Sequence, residues 1–148
     1  MKNADLYRLV WMSRPLMQAT EACVEAGLRE TELTVRMRAV LEILREHGDL
    51  TVPDLAQRLE IKRQYVQVMV NETLTSGFTE QRANPRHKRS PLVALTARGR
   101  DVIEEIISRE MALLDRISAG LDPEEIATAL KVVLAVTDKM KQAAGDGK

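Results

Sequence analysis

Residues 50–96 read LTVPDLAQRLEIKRQYVQVMVNETLTSGFTEQRANPRHKRSPLVALT. Thr51 stands where a helix cap belongs and Pro53 is tolerated in a first turn. Asp54 falls three residues after the cap, where a carboxylate meets free backbone N–H groups. The spacing predicts a short helix over 52–59 with Leu55, Ala56 and Leu59 on its inner face. The turn Glu60-Ile61-Lys62, expected to bury Ile61, leads into a second helix starting near Arg63. There Val66, Met69, Val70 and Thr73 or Leu74 recur at core spacing, which turns Arg63, Gln64, Gln67 and Asn71 outward. After Gly77 and Phe78 come a polar strand over 79–82, an Asn84-Pro85 turn and a return strand over 92–95, with Pro91 favouring an edge position. Helix, tight turn, helix and basic hairpin, in that order, spell a winged helix-turn-helix. The expected fold class is mostly α with a small β wing.

The outward residues carry suitable chemistry. Arg grips guanine O6 and N7 in bidentate fashion, and Gln does the same to adenine N6 and N7. The hairpin tip bears Arg86, His87, Lys88 and Arg89. So much like charge on a projecting loop repels itself, and phosphates or a narrow minor groove relieve that cost. Lys62, Arg63, Gln64, Gln67, Asn71, Arg86, Lys88 and Arg89 are therefore the residues expected to bind double-stranded DNA; the plainer reading makes them a solvated face.

The 148 residues suit one domain, and their net charge is zero, with 22 Lys/Arg against 22 Asp/Glu. The distribution is uneven. Residues 1–57 hold 7 basic against 9 acidic groups, residues 58–100 hold 9 against 3, and residues 101–148 hold 6 against 10, giving −2, +6 and −4. A basic centre between acidic arms fits a chain that offers one face to phosphates. Aromatics make up 3% of the residues, which leaves little stacking surface for single strands or RNA. One cysteine, Cys23, and two histidines form no metal-ligand set, so neither structural zinc nor another cofactor is expected. No nucleophile stands beside a base and no glycine loop is built for phosphate, which argues against an enzyme. Without a secretory signal or a bilayer-length apolar run, the chain reads as cytoplasmic and free of the membrane.

Helical spacing continues on both sides. Leu6, Leu9, Val10, Ser13, Met17, Cys23 and Val24 suggest a first helix, kinked or broken at Pro15 and stopped by Gly27, in which Cys23 packs. Thr34 caps a helix carrying Met37, Val40, Leu41 and Leu44 and ending at Gly48. Thr96 starts a long helix with Val102, Ile103, Ile106, Ile107, Leu113, Leu114 and Ile117 on one apolar face. Asp122-Pro123-x-Glu125 opens the last helix, striped by Ile126, Leu130, Val133 and Leu134. These faces exceed what a small wing domain covers, so they are expected to bury one another across a two-fold axis in a homodimer, an internal helical hairpin being the other solution.

Between Leu33-Thr34 and Leu95-Thr96-x-x-Gly99 the chain resembles the MarR family of bacterial transcription regulators. The matching pieces are Leu33-Thr34 opening one helix, Leu50-Thr51-x-x-x-Leu55-Ala56 opening the next, Gly77-Phe78 closing the recognition helix, and Asn84-Pro85 with Arg89 in the wing. The resemblance implies a triangular dimer of winged-helix subunits. Recognition helices would enter successive major grooves of a near-palindromic operator, about 34 Å apart, with Arg89 in the flanking minor groove. It divides the single domain 1–148 into a DNA-binding lobe over 33–99 and dimerisation helices in 1–30 and 100–143. Two departures stand out. His87 replaces the acidic residue that often steadies the wing arginine, and Val68 and Glu72 stand where the family often has Arg. Base reading then falls to Arg63, Gln64 and Gln67.

Family members also hold small phenolic or carboxylic effectors in a cleft between the dimer helices and the DNA lobe. Tyr7, Trp11, Arg14, Met37 and His47 are the residues expected to line it here, against a plainer reading with Trp11 and Met37 in the core and Arg14 and His47 solvated. The function so read is a dimeric, sequence-specific regulator, a repressor released by an effector. The alternative is a winged-helix protein-interaction module without specific DNA binding.

Overall fold

A computed structural model describes residues 2–147. It contains α1 (Ala4–Trp11), α2 (Ser13–Leu28), α3 (Val35–His47), α4 (Val52–Leu59), α5 (Arg63–Thr75), β1 (Thr79–Arg82), β2 (Leu92–Leu95), α6 (Ala97–Ile117) and α7 (Pro123–Asp146). Two compact units meet in sequence between Glu110 and Met111.

The first unit is built on local rules that the sequence obeys. The Thr34 hydroxyl accepts from the Met37 N–H at 3.2 Å and starts α3. At α4 the Thr51 hydroxyl accepts from the Asp54 N–H at 3.2 Å, while Asp54 Oδ2 accepts from the Thr51 N–H at 3.4 Å, a reciprocal capping box. Glu60, with φ of 55°, takes the left-handed conformation that ends α4, and the Ile61 N–H donates back to the Ala56 carbonyl at 3.1 Å. This leaves three residues between α4 and α5. Gly77, with φ of 76°, turns the chain out of α5, and the Phe78 N–H bonds the Thr73 carbonyl at 3.0 Å.

β1 and β2 pair antiparallel with Thr79 opposite Leu95 and Arg82 opposite Leu92. Leu50 bridges Val93 on the other side, exchanging bonds of 3.2 and 2.7 Å and tying the wing to the start of α4. The Thr96 hydroxyl donates to the Gly77 carbonyl at 2.7 Å and accepts from the Gly99 N–H at 3.0 Å, which caps α6 against the end of α5. The core joins Val40, Leu41 and Leu44 of α3, Leu55 of α4, Val66, Met69 and Val70 of α5, Phe78, Val93, and Ile103 and Ile106 of α6.

Several expectations are corrected. The N-terminal break lies at Met12, not at Pro15. Pro15 has no N–H to offer the Trp11 carbonyl four residues back, so the ladder fails one turn upstream and Pro15 sits unstrained in the first turn of α2. Gly27 does not stop α2, which runs to Leu28. Ile61 is 36% exposed, because the left-handed Glu60 sets the chain direction and leaves the side chain in a surface hollow beside Pro53, Ala56 and Gln57. Ile103 and Ile106, expected on a pairing face, close the core instead, since Gly99 brings the start of α6 against Phe78. Cys23 is exposed, and Trp11 also lies at the surface, outside the core.

The second unit holds the end of α6 and α7. Asp122 caps α7 by accepting from the Glu124 N–H at 3.0 Å, with Pro123 in the first turn. No described residue of α7 is buried, and Ile126, Leu130, Val133 and Leu134 stand exposed along it.

Candidate nucleic-acid interface

The buried stripe of α5, Val66, Met69, Val70 and Thr73, fixes the helix's rotation by packing on α3 and α4. Arg63, Gln64, Gln67 and Asn71 consequently face solvent, as their spacing predicts. Beside this face the wing closes an open hollow of about 530 Å³. Val52 and Pro53 line it from α4, Arg63, Gln64 and Gln67 from α5, and Gln81, Arg89, Ser90, Pro91 and Val93 from the hairpin. The two arginines expected to read bases and to enter the minor groove thus share one concavity with three amides. Lys62 adjoins it in a second hollow with Arg63.

The wing tip is organised by Asn84. Its side-chain nitrogen donates to the Ser90 carbonyl at 2.9 Å and its side-chain oxygen accepts from the Arg86 N–H at 3.1 Å. Backbone bonds from His87 to Asn84 and from Ser90 to His87, at 3.2 and 3.3 Å, complete the tip. These bonds order the main chain that carries Arg89, with His87 at the position two residues before it. Arg86, Lys88 and Arg89 project from this frame and are exposed.

Ion pairing neutralises six arginines among the described residues. Arg36 pairs with Glu72 at 2.8 Å, Arg38 with Glu42 at 2.6 Å and with Glu110, Arg45 with Glu104 at 2.8 Å, and Arg109 with Glu105 at 2.5 Å. Arg98 pairs with Glu32, and Arg82 at the wing base lies between Glu80 at 2.9 Å and Asp49 at 3.2 Å. The guanidiniums of Arg36, Arg38, Arg45 and Arg82 are held charged above their ordinary range, chiefly by hydrogen bonds to Tyr65, Glu110, Glu104 and Glu80 respectively. Among the described residues no carboxylate pairs with Lys62, Arg63, Arg86, Lys88 or Arg89. Their charge is left for an external anion.

Other features were not legible in the chain. Gln81, Ser90, Pro91, Val52 and Pro53 join the hollow only through the hairpin's fold-back, and Asn84's turn signal did not disclose that it holds Ser90. Glu72 points at Arg36, and its Oε2 is buried without a partner. Of the residues expected to line an effector cleft, the Tyr7 and Trp11 rings lie tilted at 56° with centroids 6.2 Å apart, and Arg14 stands over Trp11 at 5.5 Å. Met37 is buried in the core, and His47 Nε2 lies 3.3 Å from Arg58 at the end of α3. No group of three or more metal-ligating side chains occurs among the described residues, and no helix there is long and apolar enough to cross a membrane.

Comparison with known proteins agrees with this geometry. A family model described as MarR family matches residues 33–90. The crystal structure of a MarR family transcription regulator superposes with a TM-score of 0.89 at 37% identity, covering 97% of this chain and 95% of that one. An uncharacterised protein of Mycobacterium tuberculosis is 42% identical over 74 residues, which cover 50% of this chain. The chain spans about half the length, 52%, of the mycobacterial relatives it matches in this way. The HTH-type transcriptional repressor MdtR of Bacillus subtilis is 27% identical over 97% of this chain and 92% of its own length. A relative more than 30% identical along nearly its whole length, together with the hollow between recognition helix and wing, places the chain in the MarR family of transcription regulators.

Proposed function

We propose that the chain is a dimeric, sequence-specific double-stranded DNA-binding regulator acting as a repressor in the cytoplasm. The observation that carries this reading is the shared hollow of Arg63, Gln64, Gln67 and Arg89, whose two cations have no carboxylate partner among the described residues, whereas Arg82 at the base of the same wing is paired. A helix of α5's width fits a major groove about 12 Å wide, and the wing's guanidiniums suit the adjacent minor groove. Lys62, Arg86 and Lys88 supply phosphate contacts and Asn71 extends the reading face. The name of the Bacillus relative supports repression.

Residues 33–99 form the reading lobe in this proposal, and the helices within 1–30 and 100–143 pair two copies. Exposed Leu6, Leu9, Leu16 and Met17 in the first unit, and Leu114, Ile117, Leu130 and Leu134 in the second, supply the apolar surface for a homodimer. Two lobes would then address half-sites about one helical turn apart. The cluster of Tyr7, Trp11 and Arg14 suits a small aromatic carboxylate, whose binding would release the operator.

The test is a fluorescence-anisotropy titration of the full chain against its own upstream promoter and against random duplex, at several salt concentrations. Tighter, salt-dependent binding to the promoter is expected. Equal affinity for both duplexes would sink the reading and favour a protein-interaction module.

A further inference from the structure

The outward line of α5 is neither charged nor wholly polar. Gln64, Val68, Asn71 and Thr75 follow one another at i, i+4, i+7 and i+11, opposite the buried stripe of Val66, Met69, Val70 and Thr73. Val68 is the apolar member of this line, in its middle, and is 49% exposed. A lone exposed valine is ordinary, but this one is framed by base-reading amides. Gln67, its chain neighbour, donates from Nε2 to Asn71 Oδ1 at 2.9 Å. That bond uses one amide hydrogen and leaves Gln67 its other N–H and its carbonyl oxygen, the donor and acceptor that adenine N7 and N6 require.

The acidic group of the same helix is withheld. Glu72 is tied to Arg36 at 2.8 Å with its other oxygen buried. The middle of the face therefore offers a branched methyl pair beside an oriented amide, with a guanine-gripping guanidinium only at Arg63. In a major groove, the partner of exposed methyl groups is the 5-methyl of thymine, the one apolar group that the base edges present there.

We propose that Val68 is a specificity-determining residue: it selects a thymine in each half-site by packing on the thymine 5-methyl, next to the base pair read by Gln67. This rests on the DNA-binding reading above and adds which base chemistry the helix prefers. Half-sites would be A·T-rich under Val68 and Gln67, with guanine preferred only near Arg63.

The experiment uses the full chain and a duplex it selects from a random library. Each thymine is replaced in turn by deoxyuridine, which removes the 5-methyl and keeps Watson–Crick pairing. One position per half-site is expected to lose about fourfold in affinity per methyl, the worth of one buried carbon. Val68→Ala should bind the thymine duplex about as weakly as wild type binds the uracil duplex and should not distinguish the two. Val68→Thr, which keeps one methyl, should still distinguish them. Val68 is a surface residue, so melting temperatures of the variants should match wild type. A flat uracil scan in a protein that still prefers its selected duplex would overturn the assignment of Val68 alone, as would equal uracil sensitivity in Val68→Ala. Selection of no preferred duplex would overturn DNA reading and this assignment together.

Discussion

The hydroxyls of Thr73 and Thr79 lie 2.8 Å apart, both buried, and join the recognition helix α5 to the wing strand β1. Thr73 also bonds the Val70 carbonyl at 2.7 Å. A carbonyl only accepts, so Thr73's single hydrogen goes to Val70 and Thr79 must donate to Thr73. The pair is therefore asymmetric. Thr73→Val strands a buried donor and should cost about 1–3 kcal/mol, whereas Thr79→Val leaves Thr73 satisfied and should cost about 1 kcal/mol or less. Urea denaturation of both variants checks the order; a larger loss in Thr79→Val would contradict the assigned direction.

Gly99 marks a second tight junction. A Cβ there would stand 1.9 Å from the Phe78 carbonyl oxygen and 2.8 Å from its carbon, and backbone atoms cannot swing aside as a flexible side chain would. Gly99→Ala should destabilise by about 3 kcal/mol or more. Gly27 has nothing within 4 Å of the same construction, and Gly27→Ala in α2 should gain about 0.5 kcal/mol. Thermal melts of the two alanine variants should move in opposite directions.

In the wing, exposure alone does not rank the arginines. Arg89 has no carboxylate partner among the described residues, while Arg82 is neutralised by Glu80 and Asp49. Arg89→Ala should lower the slope of log affinity against log salt by about 1, and Arg82→Ala should leave it nearly unchanged. Anisotropy between low and moderate salt measures both.

Arg63 is the one cation at the start of α5 that also faces the hollow. Arg63→Ala should cost about 1–3 kcal/mol on the preferred duplex and relax selection at one base position. A uniform loss over all sequences would make Arg63 a phosphate contact.

Acid should loosen the junction between α3 and α6. The Arg45 guanidinium, hydrogen-bonded to Glu104 at 2.8 and 3.0 Å, holds that carboxyl below the usual glutamate range. A folded value below the unfolded one gives stability that is present above the ordinary glutamate value, about 4.3, and is lost as pH falls through the lower folded value. Wild type should exceed Glu104→Gln in melting temperature at pH 7, and the two should converge in strong acid. Both groups are exposed, so high salt should shrink the difference at pH 7.

Legibility followed the range of each interaction. The boundaries of α3, α4, β1 and β2, and the outward turn of Arg63, Gln64, Gln67 and Asn71, could be read because caps, glycines and apolar spacing act within a few residues. The break at Met12 lies one turn before Pro15, since a proline's missing N–H is felt at the carbonyl four residues earlier. Apolar spacing says which residues share a face and not what covers it, so the exposure of Ile61 and Cys23 and the burial of Ile103 and Ile106 have no local signal.

By itself, then, the sequence determined a winged helix-turn-helix with its net positive charge concentrated in the middle third of a neutral chain. Tertiary structure decided which of those charges remain available. Arg36 and Arg98 find their carboxylates at sequence separations of 36 and 66 residues, and Arg82 adds Asp49, 33 residues away, to the nearby Glu80, so local pattern alone does not separate them from Arg63 and Arg89. It likewise brought Arg89 of the hairpin into one hollow with Arg63 and tied Glu72 to Arg36. Ion pairing depends on distance in space, and that distance exists only once the chain has closed around its core.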